Sequence, residues 1–439
     1  MPKLIIHGGT PLKGTVKLSG AKNASYKLMI AALLSPHPVK LSNFSHIADV
    51  ELVKKIIQSL GAKVKSTANR TIVINSKTIT SSTVPKHLGL ASRASSMFIA
   101  PLLARTQTAI VPLPGGDKIG KRPLNRHFDG LKALGAKIIF KNNSLHASCD
   151  QLIGSNYTFP KNSHTGTETL IIAATLAKGK TILNNAALEP EIDDLISFLN
   201  QMGAKITRKP NRVIAIQGVK ELAPTKYQIM PDRNEAVTFA IASYLTKGDI
   251  VIKNAKPDHL TAFLKKLTQI GAKYEINNSD IRFFYHQPLK AVNLTTQPHP
   301  GFMTDWQPLW SVLATQLTGQ SKIIEAVFDS RFQFAKDLSK MGANISFFDP
   351  KPKNPQEFYN FNLKDDLKTN QHGMMITGPT PLKGILVKVT DIRAGATLAL
   401  AGLTAQGKTT LTGIEHIDRG YEDFAGRFLK LGAIIQKVK

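Results

Sequence analysis

One five-residue phrase, Leu-Gly-Ala-Lys-Val at residues 60–64, recurs along the chain in six related forms. The glycines of the six copies stand at positions 61, 135, 203, 271, 342 and 432. Repetition at near-equal intervals indicates a chain built from six copies of one structural unit. Six units divide most simply into two lobes of three, and we expect the boundary near residues 223–230.

Two kinds of helix are predicted in each unit. The first phrase closes an amphipathic helix in which Leu52, Ile56 and Leu60 recur with helical spacing. Gly61 suits the left-handed position just beyond a helix end. The other helix is apolar on nearly all sides and should therefore be buried. These buried helices are expected at 26–34, 96–104, 169–177, 236–245, 306–317 and 396–405. Extended segments lie between the helices, and residues 11–19 are predicted to form the leading strand of a unit.

Composition limits the possible functions. The chain has 439 residues, a formal net charge of +27 and a single cysteine, Cys149, which excludes a disulfide framework or a multi-cysteine metal site. The charge favours a nucleic-acid-binding hypothesis, but the basic residues are dispersed and form no tail. No apolar run reaches the ~20 residues that span a bilayer, and the N-terminus is unlike a signal peptide. A cytoplasmic protein is therefore expected.

Charged residues stand immediately before several of the buried helices, including Lys22, Arg93, Arg233 and Arg393. Helix N-termini favour anions because their N–H groups are unpaired. Ordinary capping explains the Ser, Thr, Asp and Asn residues at these places, but it does not explain the cations. An anion-binding site is therefore predicted.

Two segments interrupt the repeats. Residues 112–123 are rich in Gly, Pro and charge, and they form either a lid over a site or an ordinary surface loop. Residues 349–372 are polar and are predicted to be a loop insertion.

Nine segments carry a resemblance to a known family. They are LSGAKNA from Leu18, RAS from Arg93, PGGDKIGKRP from Pro114, EPEI from Glu189, PDR from Pro231, TDWQ from Thr304, VFDSRF from Val327, TDIRA from Thr390 and HIDRGYE from His416. Over essentially its whole length the chain resembles the UDP-N-acetylglucosamine enolpyruvyl transferases, the 1-carboxyvinyltransferases of the EPSP synthase-like superfamily.

The resemblance implies an α/β fold of two lobes, an inside-out α/β barrel with six βαβαββ units, three per lobe. One lobe would take residues 22–229 and carry the lid at 112–123. The other lobe would take residues 1–21 and 230–439, with the insertion at 349–372.

The resemblance also implies a reaction. Phosphoenolpyruvate would donate its enolpyruvyl group to the 3′-hydroxyl of UDP-N-acetylglucosamine and release phosphate, through addition and then elimination. This is the first committed step of peptidoglycan synthesis. No metal and no organic cofactor are expected, and the expected partners are the two small-molecule substrates, without a membrane or a specific nucleic acid.

Five residues match the catalytic positions of the family. Asp117 follows Pro-Gly-Gly in the lid, where the family usually has a cysteine that supplies acid chemistry. Cys149 lies outside that motif. Asp305 matches the candidate general base. The cations that match the donor-phosphate cluster are Lys22, Arg122 and Arg419.

The remaining matches concern substrate binding. They are Asn23, Arg93, Pro123, Leu124, Lys161, Ser163, His164, Thr165, Val327, Asp391 and Arg393. Three residues depart from the family pattern. Thr165 replaces a usual Gly beside the diphosphate, Ala48 replaces a common Lys, and Asn125 replaces a common Asp.

Two alternatives stay open on the sequence. The sister family transfers enolpyruvate to shikimate 3-phosphate, but its Lys-Ser pair is here Lys22-Asn23. A non-enzymatic nucleic-acid-binding protein would instead use the charge of +27.

Overall fold

The computed structural model describes residues 2–67, 69–113, 115, 121 and 123–438. The chain divides into two compact units. The first unit takes residues 2–19, Lys121 and residues 231–438, and the second takes residues 20–67, 69–113, 115 and 123–230. In this described part of the chain, no helix is both long and apolar enough to cross a membrane.

The second unit contains three sheets around three central helices. The central helices are Lys22–Ala31, Ile99–Thr106 and His164–Thr175, with 3-10 turns at Ala32–Leu34 and Arg93–Phe98. In spatial order the sheets are Thr225–Gln228, Val39–Ser42, Thr71–Asn75 and Lys63–Thr67; Thr108–Pro112, Ser144–Ser148 and Lys137–Lys141; and Lys205–Lys209, Val213–Gln217, Lys180–Asn184 and Asn156–Thr158.

The first unit repeats the same plan. Its central helices are Arg233–Leu245, Gln307–Ala314 and Ile392–Thr404. In spatial order its sheets are Leu386–Lys388, Lys408–Thr412, Lys3–His7 and Ile434–Val438; Lys273–Asn277, Asp280–Phe284, Asp249–Lys253 and Lys13–Lys17; and Leu294–Thr295, Gly319–Ile324, Gly373–Gly378 and Asn344–Phe348. Lys13–Lys17 lies parallel to Asp249–Lys253, so the prediction that the N-terminal segment leads a unit is confirmed.

The central helices are buried because apolar side chains surround them. Every residue of Arg233–Leu245 and of Gln307–Ala314 is buried, and each unit has one large core built around its own helices. All six predicted buried helices are confirmed. Six more helices alternate with them: Ala48–Ser59, Asn125–Ala133, Pro190–Gln201, Thr261–Gln269, Gln333–Lys340 and Phe424–Lys430. Shorter helical turns lie at Lys86–Gly89, Pro257–Leu260, Pro355–Phe358, Leu363–Asp365 and Glu415–Asp418.

The repeated glycines end these alternate helices. All six have positive φ, from +82° at Gly271 to +105° at Gly342. This backbone conformation costs glycine little and disfavours other residues. The prediction that the glycines close the amphipathic helices is confirmed.

The segment 349–372 connects the antiparallel strands Asn344–Phe348 and Gly373–Gly378. It is not a bare loop, because Tyr359 and Phe361 pack with Ala326 in a small apolar cluster separate from the main core. The ring of Phe361 stacks on His372 with centroids 5.0 Å apart. The polar composition of the segment did not indicate that Tyr359 and Phe361 would pack in this way.

Candidate active site

Asp305 and Arg393 lie together in the first unit, at the N-terminal ends of its central helices. Asp391 caps Ile392–Thr404, and its Oδ1 accepts from the backbone N–H groups of Arg393 at 2.9 Å and Ala394 at 3.0 Å. Trp306 donates from Nε1 to Asn234 Oδ1 at 2.9 Å, which joins the starts of the other two central helices. These contacts hold Asp305 in a fixed place.

Two guanidinium groups contact the Asp305 carboxylate. Arg331 donates from Nη2 to Oδ1 at 3.0 Å, and Arg393 Nη2 lies 3.4 Å from Oδ2. The Asp305 side chain is still 23 % exposed, whereas both arginines are buried. Arg393 also donates to Tyr421 Oη at 3.0 Å. The result is an oriented carboxylate that remains accessible to a ligand.

The buried residue Glu325 accepts hydrogen bonds from two segments close to Asp305. Its Oε1 accepts from the backbone N–H of Val327 at 2.9 Å, and its Oε2 accepts from Thr304 Oγ1 at 3.0 Å. Burial raises the pKa of this carboxyl group. Glu325 therefore links the segment that carries Val327 to the residue before Asp305.

Sequence reasoning assigned no role to Arg331 or Glu325. Arg331 belongs to the VFDSRF segment, and its side chain is buried. Its positive charge within that segment was the feature of the sequence that could have indicated a role. Glu325 directly follows the strand Gly319–Ile324, and only its burial separates it from an ordinary surface carboxylate. Arg419, which was predicted to bind donor phosphate, follows the short helix Glu415–Asp418 and is half-buried.

Lys22 and Asn23 are the first two residues of a central helix in the second unit. Lys22 Nζ lies 2.8 Å from Asp49 Oδ2. Asp49 belongs to the helix Ala48–Ser59, which begins at the alanine that departs from the family pattern. The ion pair fixes Lys22 at the helix start, where the dipole already favours an anion.

Thr165 contacts a buried histidine in the same unit. Its Oγ1 lies 2.9 Å from His127 Nε2. Burial, together with the charges of Arg93 and Arg126, lowers the pKa of His127 to about 3. His127 is therefore neutral near pH 7. Its hydrogen-bond partner is the hydroxyl of Thr165, the residue that stands where the family usually has Gly.

Four more of the predicted nucleotide-sugar residues belong to the same unit. Ser163 caps the helix His164–Thr175 by accepting from Gly166 N–H at 3.2 Å. Lys161 is half-buried and Pro123 is exposed. Leu124 packs with Phe128 and Leu145 in a small apolar cluster.

Asp117 and Arg122 lie outside the described residues, as does most of the predicted lid. Their assignments therefore stay predictions. In the described part of the chain, no group of three or more His, Cys, Asp or Glu side chains is arranged to hold a metal ion.

Comparisons with known proteins agree on the family. The EPSP synthase (3-phosphoshikimate 1-carboxyvinyltransferase) family matches residues 6–428. The UDP-N-acetylglucosamine 1-carboxyvinyltransferase of Koribacter versatilis is 39 % identical over 441 residues, which cover 100 % of this chain and 97 % of that protein. The enzyme of the same name from Desulfosudis oleivorans is 39 % identical over 438 residues, with 100 % of both chains covered.

Solved structures share the fold. The enolpyruvyl transferase NikO from Streptomyces tendae superposes with a TM-score of 0.86 at 24 % identity, covering 100 % of this chain and 99 % of that chain. EPSP synthase from Acinetobacter baumannii gives 0.72 at 19 % identity, with 100 % of both chains covered. The predicted two-lobed enolpyruvyl transferase fold is confirmed. The chain belongs to the UDP-N-acetylglucosamine 1-carboxyvinyltransferases, within the wider EPSP synthase family.

Proposed function

We propose that this protein transfers the enolpyruvyl group of phosphoenolpyruvate to the 3′-hydroxyl of UDP-N-acetylglucosamine, with release of phosphate. The observation that carries the proposal is the Asp305 carboxylate, which Arg331 and Arg393 contact while 23 % of its side chain stays exposed. An oriented and accessible carboxylate can act as the general base for a hydroxyl nucleophile. The relatives at 39 % identity are named for this activity, and 97 % and 100 % of their lengths are covered.

The reaction is an addition followed by an elimination. In the addition, the 3′-oxygen of the sugar bonds to C2 of phosphoenolpyruvate while C3 gains a proton, which gives a tetrahedral ketal. In the elimination, the bond from C2 to the phosphate oxygen breaks and C3 loses a proton, which restores the double bond. Asp305 takes the proton of the attacking hydroxyl, and Asp117 supplies the proton to C3.

Cations stabilise the charge that develops on the donor. Lys22, Arg122 and Arg419 are the residues proposed to hold its phosphate and carboxylate. Fixed charges in a site that excludes water contribute strongly to lowering such barriers. The ion pair between Lys22 and Asp49, 2.8 Å long, supports this role because it fixes the ammonium before substrate binds.

The nucleotide sugar is proposed to bind the second unit through Arg93, Lys161 and the start of the helix His164–Thr175. The substrate-binding set also includes Asn23, Pro123, Leu124, Val327, Asp391 and Arg393. Because phosphoenolpyruvate and nucleotide sugars are cytoplasmic metabolites, we place the enzyme in the cytoplasm.

A two-acceptor assay tests the function. Purified protein is incubated with phosphoenolpyruvate and either UDP-N-acetylglucosamine or shikimate 3-phosphate, and released phosphate is measured. Release with the nucleotide sugar alone is expected. Release with shikimate 3-phosphate alone would overturn the proposal in favour of the sister activity.

A further inference from the structure

A cluster of charged side chains lies inside the second unit, between two helices that are otherwise apolar. Lys27 and Glu168 form an ion pair, with Nζ 2.5 Å from Oε2, and their side chains are 1 % and 0 % exposed. His164 Nε2 lies 3.1 Å from Lys27 Nζ and 3.2 Å from Glu168 Oε1. Of the three side chains, His164 alone reaches the surface, with 21 % of its area exposed.

The buried ion pair is not explained by stability. Packed apolar side chains of similar volume are usually at least as favourable as a buried pair of opposite charges. A helix such as Lys22–Ala31, with Leu28, Met29 and Ile30 on its other positions, would accept an apolar residue at position 27. The charges therefore point to a role for the third member of the cluster, His164.

The contact between Lys27 and His164 favours one position of the imidazole proton. An ammonium group has three donors and no acceptor. The 3.1 Å contact is therefore a hydrogen bond when Lys27 Nζ donates and His164 Nε2 accepts. Since Nε2 of the neutral ring then carries no proton, the proton is on Nδ1.

Nδ1 also carries a proton when the imidazole ring is charged. Burial lowers the pKa of His164, but Glu168 and Glu189 raise it, and the net direction is upward despite the opposing charge of Lys27. On protonation, Nε2 gains a hydrogen that Glu168 Oε1 accepts at 3.2 Å. His127, which contacts Thr165 at the same helix start, is neutral near pH 7, and the charges of Arg93 and Arg126 lie near it. Nδ1 carries a hydrogen in both states.

We propose that Lys27 and Glu168 are positioning residues that keep a hydrogen-bond donor on Nδ1 of His164 for an anionic oxygen of the bound nucleotide sugar. His164 is the first residue of a twelve-residue helix, where unpaired backbone N–H groups also favour an anion. The nature of the ligand rests on the proposed function. The position of the proton rests on the cluster alone.

Nitrogen NMR of the protein without substrate tests the proton position. The protein is labelled with ¹⁵N-histidine, and the His164 signals are assigned by their loss in His164→Gln. We expect the neutral ring of His164 to carry its proton on Nδ1. Removing Lys27 also removes a charge that lowers the pKa of His164, so Lys27→Met is measured at a pH high enough to keep its ring neutral. There the proton should move to Nε2, because Glu168 remains as an acceptor. A wild-type ring protonated on Nε2, or a ring unchanged in Lys27→Met, would overturn the inference.

Steady-state kinetics at the same pH as the NMR measurement of Lys27→Met tests the role in binding. Loss of a hydrogen bond to a charged ligand should raise KM for UDP-N-acetylglucosamine in Lys27→Met by about 10-fold or more, while kcat changes little. A higher KM with an unchanged kcat is expected when the lost interaction stabilises the ground state and the transition state equally. Unchanged KM would contradict the binding role.

Two further variants guard against misfolding. Lys27→Met combined with Glu168→Leu removes both charges and should fold well. It has no Glu168 carboxylate to draw the proton to Nε2, so its KM should lie above that of wild type but rise less than in Lys27→Met. His37→Gln breaks an exposed His–Glu contact of 2.7 Å in the same unit and should leave KM unchanged. If wild-type protein fails to turn over UDP-N-acetylglucosamine, the proposed function is wrong, and the NMR experiment still decides the proton position.

Discussion

Arg331 donates from Nη2 to Asp305 Oδ1 over 3.0 Å, from a side chain that is 3 % exposed to one that is 23 % exposed. The buried guanidinium limits the rotation of the carboxylate, whose side chain stays 23 % exposed. A base oriented in this way requires little reorganisation when the acceptor hydroxyl arrives.

The substitution Asp305→Asn should lower kcat by about 100-fold or more, because an amide cannot take the proton of the attacking hydroxyl. Steady-state kinetics with saturating substrates measures the effect, and calorimetry should show that the nucleotide sugar still binds. Asp337→Asn is the matched control, since Asp337 pairs with Lys340 at the surface of the same unit. A wild-type kcat in Asp305→Asn would remove Asp305 as the base.

Asp117→Asn should abolish turnover and leave nucleotide-sugar binding intact. The amide keeps the size of the side chain but has no acidic proton to give to C3 of phosphoenolpyruvate. Single-turnover experiments would detect any remaining ketal. Full activity in this variant would show that another group is the acid.

Epoxide inhibitors that alkylate a lid cysteine should not inactivate the wild-type protein, because a carboxylate is a poorer nucleophile than a thiolate. The variant Asp117→Cys supplies the thiol and should become sensitive. Mass spectrometry of the intact protein measures the adduct. Covalent labelling of Asp117 with loss of activity would refute this prediction.

His127 should make the second unit less stable in acid. Its pKa is lowered to about 3 in the folded protein, mainly by burial, against an ordinary value near ~6.5. Below the ordinary value the unfolded chain binds a proton that the folded chain does not, so stability is complete above it and falls as the pH drops toward 3. At pH 5 the loss is about 2 kcal/mol.

Urea unfolding at pH 7.5 and pH 5 measures this loss, and His127→Gln should reduce the difference between the two pH values. His87→Gln, which changes an exposed histidine in the same unit, is the control and should behave like wild type. Equal pH dependence in wild type and His127→Gln would show that His127 is not the group responsible.

The periodic features of the fold were predictable from sequence because they depend on local rules. The phrase around Gly61 specifies a helix end, since the positive φ there favours glycine over any other residue. The apolar runs around Ile171 and Ala240 specify buried helices, because a helix that is apolar on all sides is stable only when other side chains cover it. The number and the kind of the repeats could therefore be predicted from short-range sequence patterns.

The electrostatic partners were not predictable because they lie far apart in sequence. Lys27 and Glu168 are separated by 141 positions along the chain and meet only when two central helices pack. Arg331 reaches Asp305 across 26 residues. In each case the sequence showed a charge at an unusual place and did not show its partner.

The most direct test of the account is to run the reaction in D₂O with phosphoenolpyruvate and UDP-N-acetylglucosamine and to analyse the product by mass spectrometry. Addition followed by elimination requires C3 to gain one hydrogen and lose another. The account therefore predicts an enolpyruvyl ether of the nucleotide sugar with deuterium in its vinyl group. Absence of this ether, with the corresponding product formed from shikimate 3-phosphate, would contradict it.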